Sequence, residues 1–353
     1  MTNLPSTVHP DWQTVVDHTA TLGESPFWHP TEQTLYWLDI AGKQLLRANI
    51  YMGTVEAWTM PSEPGCMAPA TGGGFVIALR HGVFRAHEWG GQLELLATLD
   101  YDPTTLRAND GKCDALGRFW VGTIDETRVA KNAGLYCIDA RHSTAGAAPI
   151  VSCKIAPSSG MTTANGLAFS PDNTTLYWAD TPSHTIWAWD FNLDKAAMTN
   201  QRVFSRLASK PANWLRDPAS PDNGGYGGRP DGAAVDVQGN YWVAMYEGRR
   251  VCQFAPSGQL LASIAVPLQC PTMPCFGGED FKTLYLTSAR HHSMPAELTS
   301  YPRYTAGHDA VHHRHHSMPA ELTSYPLSGQ MLSIRVEVPG LPVNFFDDGG
   351  RPG

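Results

Sequence analysis

Short runs of apolar and aromatic residues, separated by turn-forming Gly, Pro, Asn and Asp, follow one another along most of the chain. The stretch from Ala164 to Asp180 is typical, with an Asn-Gly corner, the apolar run LAF, the turn SPDN and a second run, LYWA. Apolar runs of this length with such turn signals at their ends predict a β-hairpin. A polar side chain, Asn165, stands at the entrance of that hairpin.

Fragments of this hairpin recur along the chain, and their second strands share an aromatic centre, as LYW, RFW, LYW, NYW and LYL. We count about six units of roughly 40 to 65 residues, each with about four short strands, which matches a β-propeller better than a β-sandwich. No segment of helical period separates the strands, which argues against parallel α/β folds. The sequence therefore predicts a single all-β domain over residues 1–353, with loose ends at 1–15 and 345–353.

Polar residues mark the corners where four of these units begin, namely Glu24, Asn109, Asn165 and Asp231. Because the innermost strand of each propeller blade starts near the central channel, we expect the four side chains to converge at one mouth. Glu24, Asn165 and Asp231 offer oxygen ligands that suit a divalent cation with open coordination positions. Asn-Gly and Pro-Asp-Gly are also ordinary turn sequences, so a turn role and a metal role both stay open at this point.

Two stretches break the repeat. Residues 205–229 form a long Pro- and Gly-rich loop, on which Trp214 and Tyr226 either cap a ligand or belong to a surface excursion. The twelve residues HHSMPAELTSYP occur at 291–302 and again, unchanged, at 315–326. We interpret 291–314 as a duplicated loop insertion in the last blade, without a catalytic role.

Composition and charge restrict the classes of partner and function that fit this chain. Charged residues make up only 16% of the chain, which carries 33 Gly, 27 Pro and a formal net charge of −8. This balance argues against a nucleic acid or an anionic membrane as partner. No apolar run approaches the roughly eighteen residues of a membrane helix. We therefore expect a cytoplasmic protein that acts on a small molecule, with its oligomeric state open, and seven buried, reduced cysteines.

Five motifs follow one another along the chain: GESPFWHP, RANDGKCDALGRFWVGT, ANGLAFSPDNTTLYWADT, RPDGAAVDVQGNYWVAM and PCFGGEDFKTLYLTSAR. In this order they resemble the SMP-30, gluconolactonase and luciferin-regenerating-enzyme family, also called the regucalcin family. The resemblance implies a six-bladed β-propeller with one divalent metal at the mouth of the central channel, held by Glu24, Asn165 and Asp231. Ca²⁺ is the first expectation, with Zn²⁺, Mn²⁺, Mg²⁺ or Fe²⁺ as alternatives, because oxygen ligands discriminate only modestly among these ions.

The same resemblance assigns contacts with the substrate. Arg107 and Asn109 of RANDG match the family pair that contacts a sugar lactone. The family's acidic substrate contact is given to Glu126, the nearest carboxylate, although the register places Thr127 opposite that position. The implied protein is a gluconolactonase-like hydrolase that opens the ester ring of an aldono-1,4- or 1,5-lactone.

For that reaction the metal is expected to act as a Lewis acid, with Asp231 as the candidate general base for the attacking water. No GxSxG nucleophile motif is present. Arg107 and Asp110 have a structural alternative, in which they tie neighbouring blades together. Two other functions also remain open: a calcium-binding regulatory protein without turnover, and a propeller esterase acting on organophosphates or aryl esters.

Overall fold

The computed structural model describes residues 7–142, 148–290 and 325–350. Its strands, numbered in chain order, are β1 Thr7–Val8, β2 Gln13–Thr19, β3 Gly23–His29, β4 Thr34–Asp39, β5 Gln44–Asn49, β6 Thr54–Thr59, β7 Pro64–Pro69, β8 Phe75–Leu79, β9 Gly82–Ala86, β10 Glu94–Ala97, β11 Leu106–Cys113, β12 Phe119–Asp125, β13 Leu135–Asp139, β14 Ile150–Ile155, β15 Ala164–Phe169, β16 Thr175–Asp180, β17 Thr185–Asn192, β18 Ala197–Arg206, β19 Arg229–Val235, β20 Tyr241–Tyr246, β21 Arg250–Phe254, β22 Leu260–Ala265, β23 Pro271–Gly277, β24 Thr283–Ser288 and β25 Gln330–Arg335. Short 3₁₀ helices cover Pro157–Ser159, Thr181–Ser183 and Asn223–Gly225.

These strands form six antiparallel sheets, which are the six blades of a β-propeller and confirm the expected fold. Blades 1 to 4 are the consecutive quartets from β3 to β18, each running outward from its first strand. Blade 5 runs from β19 to β22, with β1 added in parallel at its edge. The innermost strands β3, β7, β11, β15, β19 and β23 pack against one another in that order, and β23 packs against β3. A closed ring of first strands therefore surrounds the channel.

The ring closes through the start of the chain, because β2 is the outermost strand of blade 6 in the order β2-β25-β24-β23. Strands from the two ends of the sequence share one sheet, so the ring has no open seam there. The predicted insertion at 291–314 lies outside the described residues. Strands β24 and β25, on either side of that segment, pair with each other in blade 6.

The predicted loose ends are wrong where the structure describes them. The Trp12 indole N–H donates to the carbonyl of Ala265 at 2.7 Å, and the following residues form β2. Near the other end, Phe346 is fully buried, and Asp348 accepts from the Nε of Arg85 at 2.8 Å inside the protein. A buried aromatic ring and a buried ion pair fix residues 345–350, because either would be costly to expose alone.

Aromatic side chains of the second strands form the packing between blades, as the repeat predicted. Trp37, Trp120, Trp178 and Trp242 are all buried. Trp120 of blade 3 meets Phe169 of blade 4 edge-on, with ring centroids 5.9 Å apart. All seven cysteines are free thiols. Six of them are buried as expected, whereas Cys153 is exposed on the outer strand β14.

Candidate functional site

The predicted site residues lie where the innermost strands lose their regular register. Each first strand of a blade has a register shift against its second strand, of the kind that a β-bulge produces. Glu24 and Asn165 are the last paired residues before the shift, whereas Asn109 and Asp231 lie within it. The four corners are therefore similar but not in one equivalent position. Bulges re-aim side chains, which explains how polar residues within buried strands can point toward the channel.

Three buried carboxylates share this end of the channel: Glu24, Asp110 and Asp231. Burial raises the pKa of Glu24 well above its ordinary value, and the nearby charges of Asp231 and Asp110 raise it further. Burial and Asp110 likewise raise the pKa of Asp231. The ammonium of Lys112 opposes the rise at Asp110. The carboxylates therefore lie within electrostatic range of one another, and their shared charge is only partly offset by protein cations.

Asp110 also joins two blades, as its structural alternative predicted. One carboxylate oxygen, Oδ2, accepts the backbone N–H of Leu167 at 2.9 Å, which connects blade 3 to blade 4. The other oxygen, Oδ1, is buried and has no hydrogen-bond partner in the part of the chain that the structure describes. An unpartnered buried acceptor next to two more carboxylates favours a site that receives a cation or a water molecule.

The amide of Asn165 is held from both sides. Its Nδ2 donates to the hydroxyl of Thr181 at 2.8 Å, and that hydroxyl donates to the carbonyl of Pro230 at 2.7 Å. Its Oδ1 accepts from Nδ2 of Asn109 at 3.0 Å, and the same nitrogen reaches the carbonyl of Ala164 at 2.8 Å. These bonds orient Asn165 and link it to the residue that precedes Asp231.

Arg107 continues this network on blade 3. Its Nη1 donates to Oδ1 of Asn109 at 3.0 Å and to the carbonyl of Ala108 at 2.9 Å. Its Nε donates to Oε1 of Glu126 at 3.1 Å. Burial lowers the pKa of Arg107, while the charge of Glu126 raises it. The structure thus brings together the three residues that the resemblance assigned to substrate binding.

Arg80 of blade 2 also belongs to this network, although no sequence motif indicates it. Its Nη1 and Nη2 donate to the two carboxylate oxygens of Glu126 at 2.8 and 3.2 Å. Its Nε donates to Glu63 at 2.9 Å, and Nη1 also reaches the carbonyl of Pro103 at 3.0 Å. Glu126 is therefore held by guanidinium groups from two blades. A single arginine beside the tight turn between β8 and β9 has no sequence pattern that could have revealed this role.

The long loop at 205–229 is packed against the rim of the propeller. The indole N–H of Trp214 donates to the carbonyl of Asn223 at 2.8 Å, and its ring meets Tyr226 edge-on. The Tyr226 side chain is buried, with its hydroxyl 2.8 Å from Nε2 of His184. The Nδ2 of Asn223 donates to the carbonyl of Glu247 at 2.8 Å. The loop is therefore an ordered wall between blades 4 and 5, and a ligand-capping role for Trp214 and Tyr226 stays a prediction.

We expect this wall to make the protein sensitive to mild acid. Burial lowers the pKa of His184 from its ordinary 6.5, so the unfolded chain binds the proton more tightly than the folded one does. The corresponding stability is present above pH 6.5 and is lost as the pH falls through the folded pKa. Urea unfolding of His184→Gln between pH 8 and 5 should show a shallower pH slope, by up to about 1.4 kcal/mol per pH unit. His81→Gln, at an exposed residue, is the control, and an unchanged slope in His184→Gln would contradict the assignment.

A separate cavity of about 260 Å³ lies at the later residues of the innermost strands. Its walls include Phe27, Met67, Lys112, Met273 and Leu341. Glu24, Arg107, Asn109, Asn165 and Asp231 do not line it. Its walls are mostly apolar, and the candidate chemistry belongs to the other end of the channel.

Two structural features are absent from residues 7–142, 148–290 and 325–350. No helix there has the length and apolar character needed to cross a bilayer. No three His, Cys, Asp or Glu side chains there form a ready metal-binding group. Glu24, Asp110 and Asp231 therefore lie within electrostatic range of one another without forming such a group, and the predicted ligand set combines two carboxylates with the amide of Asn165.

A six-bladed β-propeller with an acidic polar network at one end of its channel defines the structural class. The SMP-30/gluconolactonase/LRE-like model matches residues 22–290, and the chain belongs to this family. The chain is 36% identical to a 6-deoxy-6-sulfogluconolactonase of Pseudomonas putida, over 92% of this chain and 95% of the relative. It is 32% identical to regucalcin of Xenopus laevis, over 78% of this chain and 85% of the relative.

Solved structures show the same fold. A calcium-binding regucalcin of Agrobacterium tumefaciens superposes with a TM-score of 0.77 at 23% identity, covering 97% of this chain and 99% of that chain. A gluconolactonase of Xanthomonas campestris superposes with a TM-score of 0.60 at 24% identity, covering 79% of this chain and 86% of that chain. At these identities, the likeness establishes the architecture alone.

Proposed function

We propose that this protein is a metal-dependent hydrolase that opens the ester ring of sugar lactones. The observation that carries the proposal is one continuous network at the acidic end of the channel. It runs from Arg107 and Asn109, which are hydrogen-bonding side chains, to Asn165, beside the buried carboxylates Glu24 and Asp231. This continuity supports assigning contacts for the sugar and ligands for a cation to one site.

The residues present fit a divalent cation. Glu24 and Asp231 are buried carboxylates whose pKa values are raised by burial and by neighbouring carboxylates, so a bound cation would relieve an unfavourable concentration of negative charge. Asn165 adds an amide oxygen whose orientation is fixed by Thr181. Hard oxygen donors of this kind suit Ca²⁺, with Mg²⁺, Mn²⁺, Zn²⁺ or Fe²⁺ as alternatives. Glu24, Asn165 and Asp231 would hold the ion.

The chemistry proposed is water attack on the lactone carbonyl. When bound, the cation would supply Lewis-acid stabilisation of negative charge on a substrate oxygen. A carboxylate oxygen of Asp231 would accept a proton from the attacking water and return it to the ring oxygen as the ester C–O bond breaks. Arg107 and Asn109 would hold the sugar hydroxyls, and Glu126, which accepts from Arg107, would also contact the substrate. The product is the open-chain aldonic acid.

The polar character of the mouth favours a sugar over an aryl ester or organophosphate. Arg80, Arg107, Asn109 and Glu126 are all charged or hydrogen-bonding groups, whereas an aryl substrate needs an apolar wall. The name of the Pseudomonas putida relative adds 6-deoxy-6-sulfogluconolactone to gluconolactone as a candidate substrate.

A lactone panel tests the proposal directly. The cation-stripped protein is assayed with aldono-1,4- and 1,5-lactones, each with Ca²⁺, Mg²⁺, Mn²⁺, Zn²⁺ or Fe²⁺ restored, at controlled pH against spontaneous opening. Cation-dependent acceleration is the expected result. Tight cation binding without acceleration of any lactone would instead support the regulatory, calcium-binding alternative.

Arg80 gives a further test of the same site. We expect Arg80→Met to lower kcat/KM by roughly 10- to 100-fold, because Glu126 and Arg107 lose the group that fixes their positions. Arg202→Met, which breaks an exposed ion pair with Asp190 on the outer strands of blade 4, is the control and should change kcat/KM little. Steady-state kinetics on the best lactone decides the point, and equal values for both variants would remove Arg80 from the site.

A further inference from the structure

We propose that Arg229 and Lys210 form a subsite for a negatively charged substituent on the lactone, such as a sulfonate, a phosphate or a carboxylate. This inference rests on the proposed lactonase function and specifies its substrate class. The subsite lies on blade 5 and on the wall loop at 205–229, apart from the Arg107 and Asn109 pair on blade 3.

Arg229 begins β19 and stands two residues before Asp231. Burial raises the pKa of Asp231 and the charge of Arg229 opposes that rise, so the two side chains lie within electrostatic range of each other. Arg229 pairs in register with Tyr246, and its guanidinium carbon lies 5.2 Å from the centre of that ring. Stacking on an aromatic face fixes a guanidinium while leaving its N–H edges free for an oxyanion.

Lys210 approaches the same place from the wall loop. Its Nζ lies 3.0 Å from both carboxylate oxygens of Glu247 and 4.6 Å from the ring centre of Trp214. Arg229 pairs with the same carboxylate through Nη2 at 3.3 Å. Two cations, Lys210 and Arg229, therefore share the buried carboxylate of Glu247.

Cations also outnumber carboxylates on blades 1 to 3, where Lys43, Arg80 and Arg107 face Glu63 and Glu126. What distinguishes the Arg229 group is a buried donor, the Nε of Arg229, that has no hydrogen-bond partner among the described residues. In the channel, Lys112 and the proposed divalent cation would offset the three carboxylates. An anionic substituent would thus find its complement beside Arg229 and Lys210.

Arg229 also has donor capacity to spare. Its Nε is buried and has no hydrogen-bond partner within residues 7–142, 148–290 and 325–350. Its side chain is one-fifth exposed, so the remaining N–H groups are within reach of a ligand. A bidentate guanidinium–oxyanion contact, with the Lys210 ammonium beside it, is a standard way to recognise sulfonate and phosphate groups.

The experiment compares kcat/KM for glucono-1,5-lactone with that for its 6-sulfo, 6-phospho and 6-carboxy counterparts. We expect the wild type to prefer at least one anionic lactone by about tenfold or more, and this preference to fall as salt screens the charges. Arg229→Met and Lys210→Met should each lower kcat/KM for the anionic lactone at least tenfold more than for the neutral one. The three anionic lactones identify which oxyanion the subsite takes.

Equal kcat/KM for neutral and anionic lactones in the wild type, or equal losses on both in the variants, would overturn the subsite. Arg229→Lys, which keeps the positive charge, should retain part of the preference and guards against a misfolded Arg229→Met. If no lactone is opened, the proposed function fails and calorimetric binding of the aldonate products becomes the readout. Stronger binding of an anionic aldonate than of gluconate, lost in Arg229→Met, would still support the subsite, and equal binding would reject it.

Discussion

Asp231→Asn is expected to abolish lactone opening almost completely, with kcat reduced by about 10³-fold or more. Asparagine keeps one oxygen at the position but cannot accept a proton from water. It also removes one of the two carboxylates proposed to hold the cation. Steady-state kinetics with the preferred lactone and a saturating cation measures the loss, and calorimetry measures the cation affinity separately.

Asp236→Ala is the matched control, five residues further along the same chain segment. Asp236 accepts the backbone N–H groups of Gln238 and Asn240 and the indole N–H of Trp242. Losing this buried acceptor should cost about 1–3 kcal/mol per stranded donor, while the folded fraction keeps its kcat. Asp231→Asn should instead keep most of its stability and lose its kcat. More than a tenth of wild-type kcat in Asp231→Asn would exclude it as the general base.

Local sequence patterns predicted the blades because a blade is a local structure. The run LYW and the turn SPDN belong to one hairpin, and pairing over a short separation needs only alternating apolar residues and a suitable turn. The buried positions of Trp37, Trp120, Trp178 and Trp242 followed from the same repeat. Period and composition carry this information directly.

Closure of the ring could not be predicted in the same way. Strand β2 completes blade 6 by pairing with β25, more than three hundred residues away. The sequence of β2, QTVVDHT, is mostly polar, and only one of its side chains is fully buried, so it gives little sign of a structural role. Its pairing is determined by the geometry of the whole ring, so its own sequence does not predict an ordered strand.

The candidate site was partly predictable for a related reason. Glu24, Asn165 and Asp231 stand in recognisable family motifs, and the structure places Asn165 in a network with Asn109 and Arg107. The register shifts that separate Glu24 and Asn165 from Asn109 and Asp231 depend on pairing with second strands and have no motif of their own. The roles of Arg80, Lys210 and Arg229 arise from contacts between blades, which one sequence does not encode locally.

Glu24→Gln is expected to separate cation binding from folding. Burial and the charges of Asp231 and Asp110 raise the pKa of Glu24, so the folded protein without cation favours the protonated carboxyl. Stability from this group is present below its unfolded pKa and is lost as the pH rises through the folded pKa. Glutamine imitates the neutral form, so the cation-free variant should be more stable than the wild type at pH 8 and similar to it at pH 5.

Added Ca²⁺ should reverse the order of stability of the two proteins at pH 8, because it should stabilise the wild type more than Glu24→Gln. At 100 times its Kd, a ligand that binds only the folded state raises the free energy of unfolding by about 2.7 kcal/mol. We expect this gain in the wild type and its loss in Glu24→Gln, because the variant gives the cation a neutral amide in place of a buried charge. Urea unfolding at pH 8, with chelator and with Ca²⁺, gives both quantities. Glu56→Gln, in an exposed ion pair of blade 1, should behave as the wild type does. A Glu24→Gln variant with full Ca²⁺ stabilisation would show that Glu24 is no ligand, and the raised pKa would then reflect only burial beside Asp231 and Asp110.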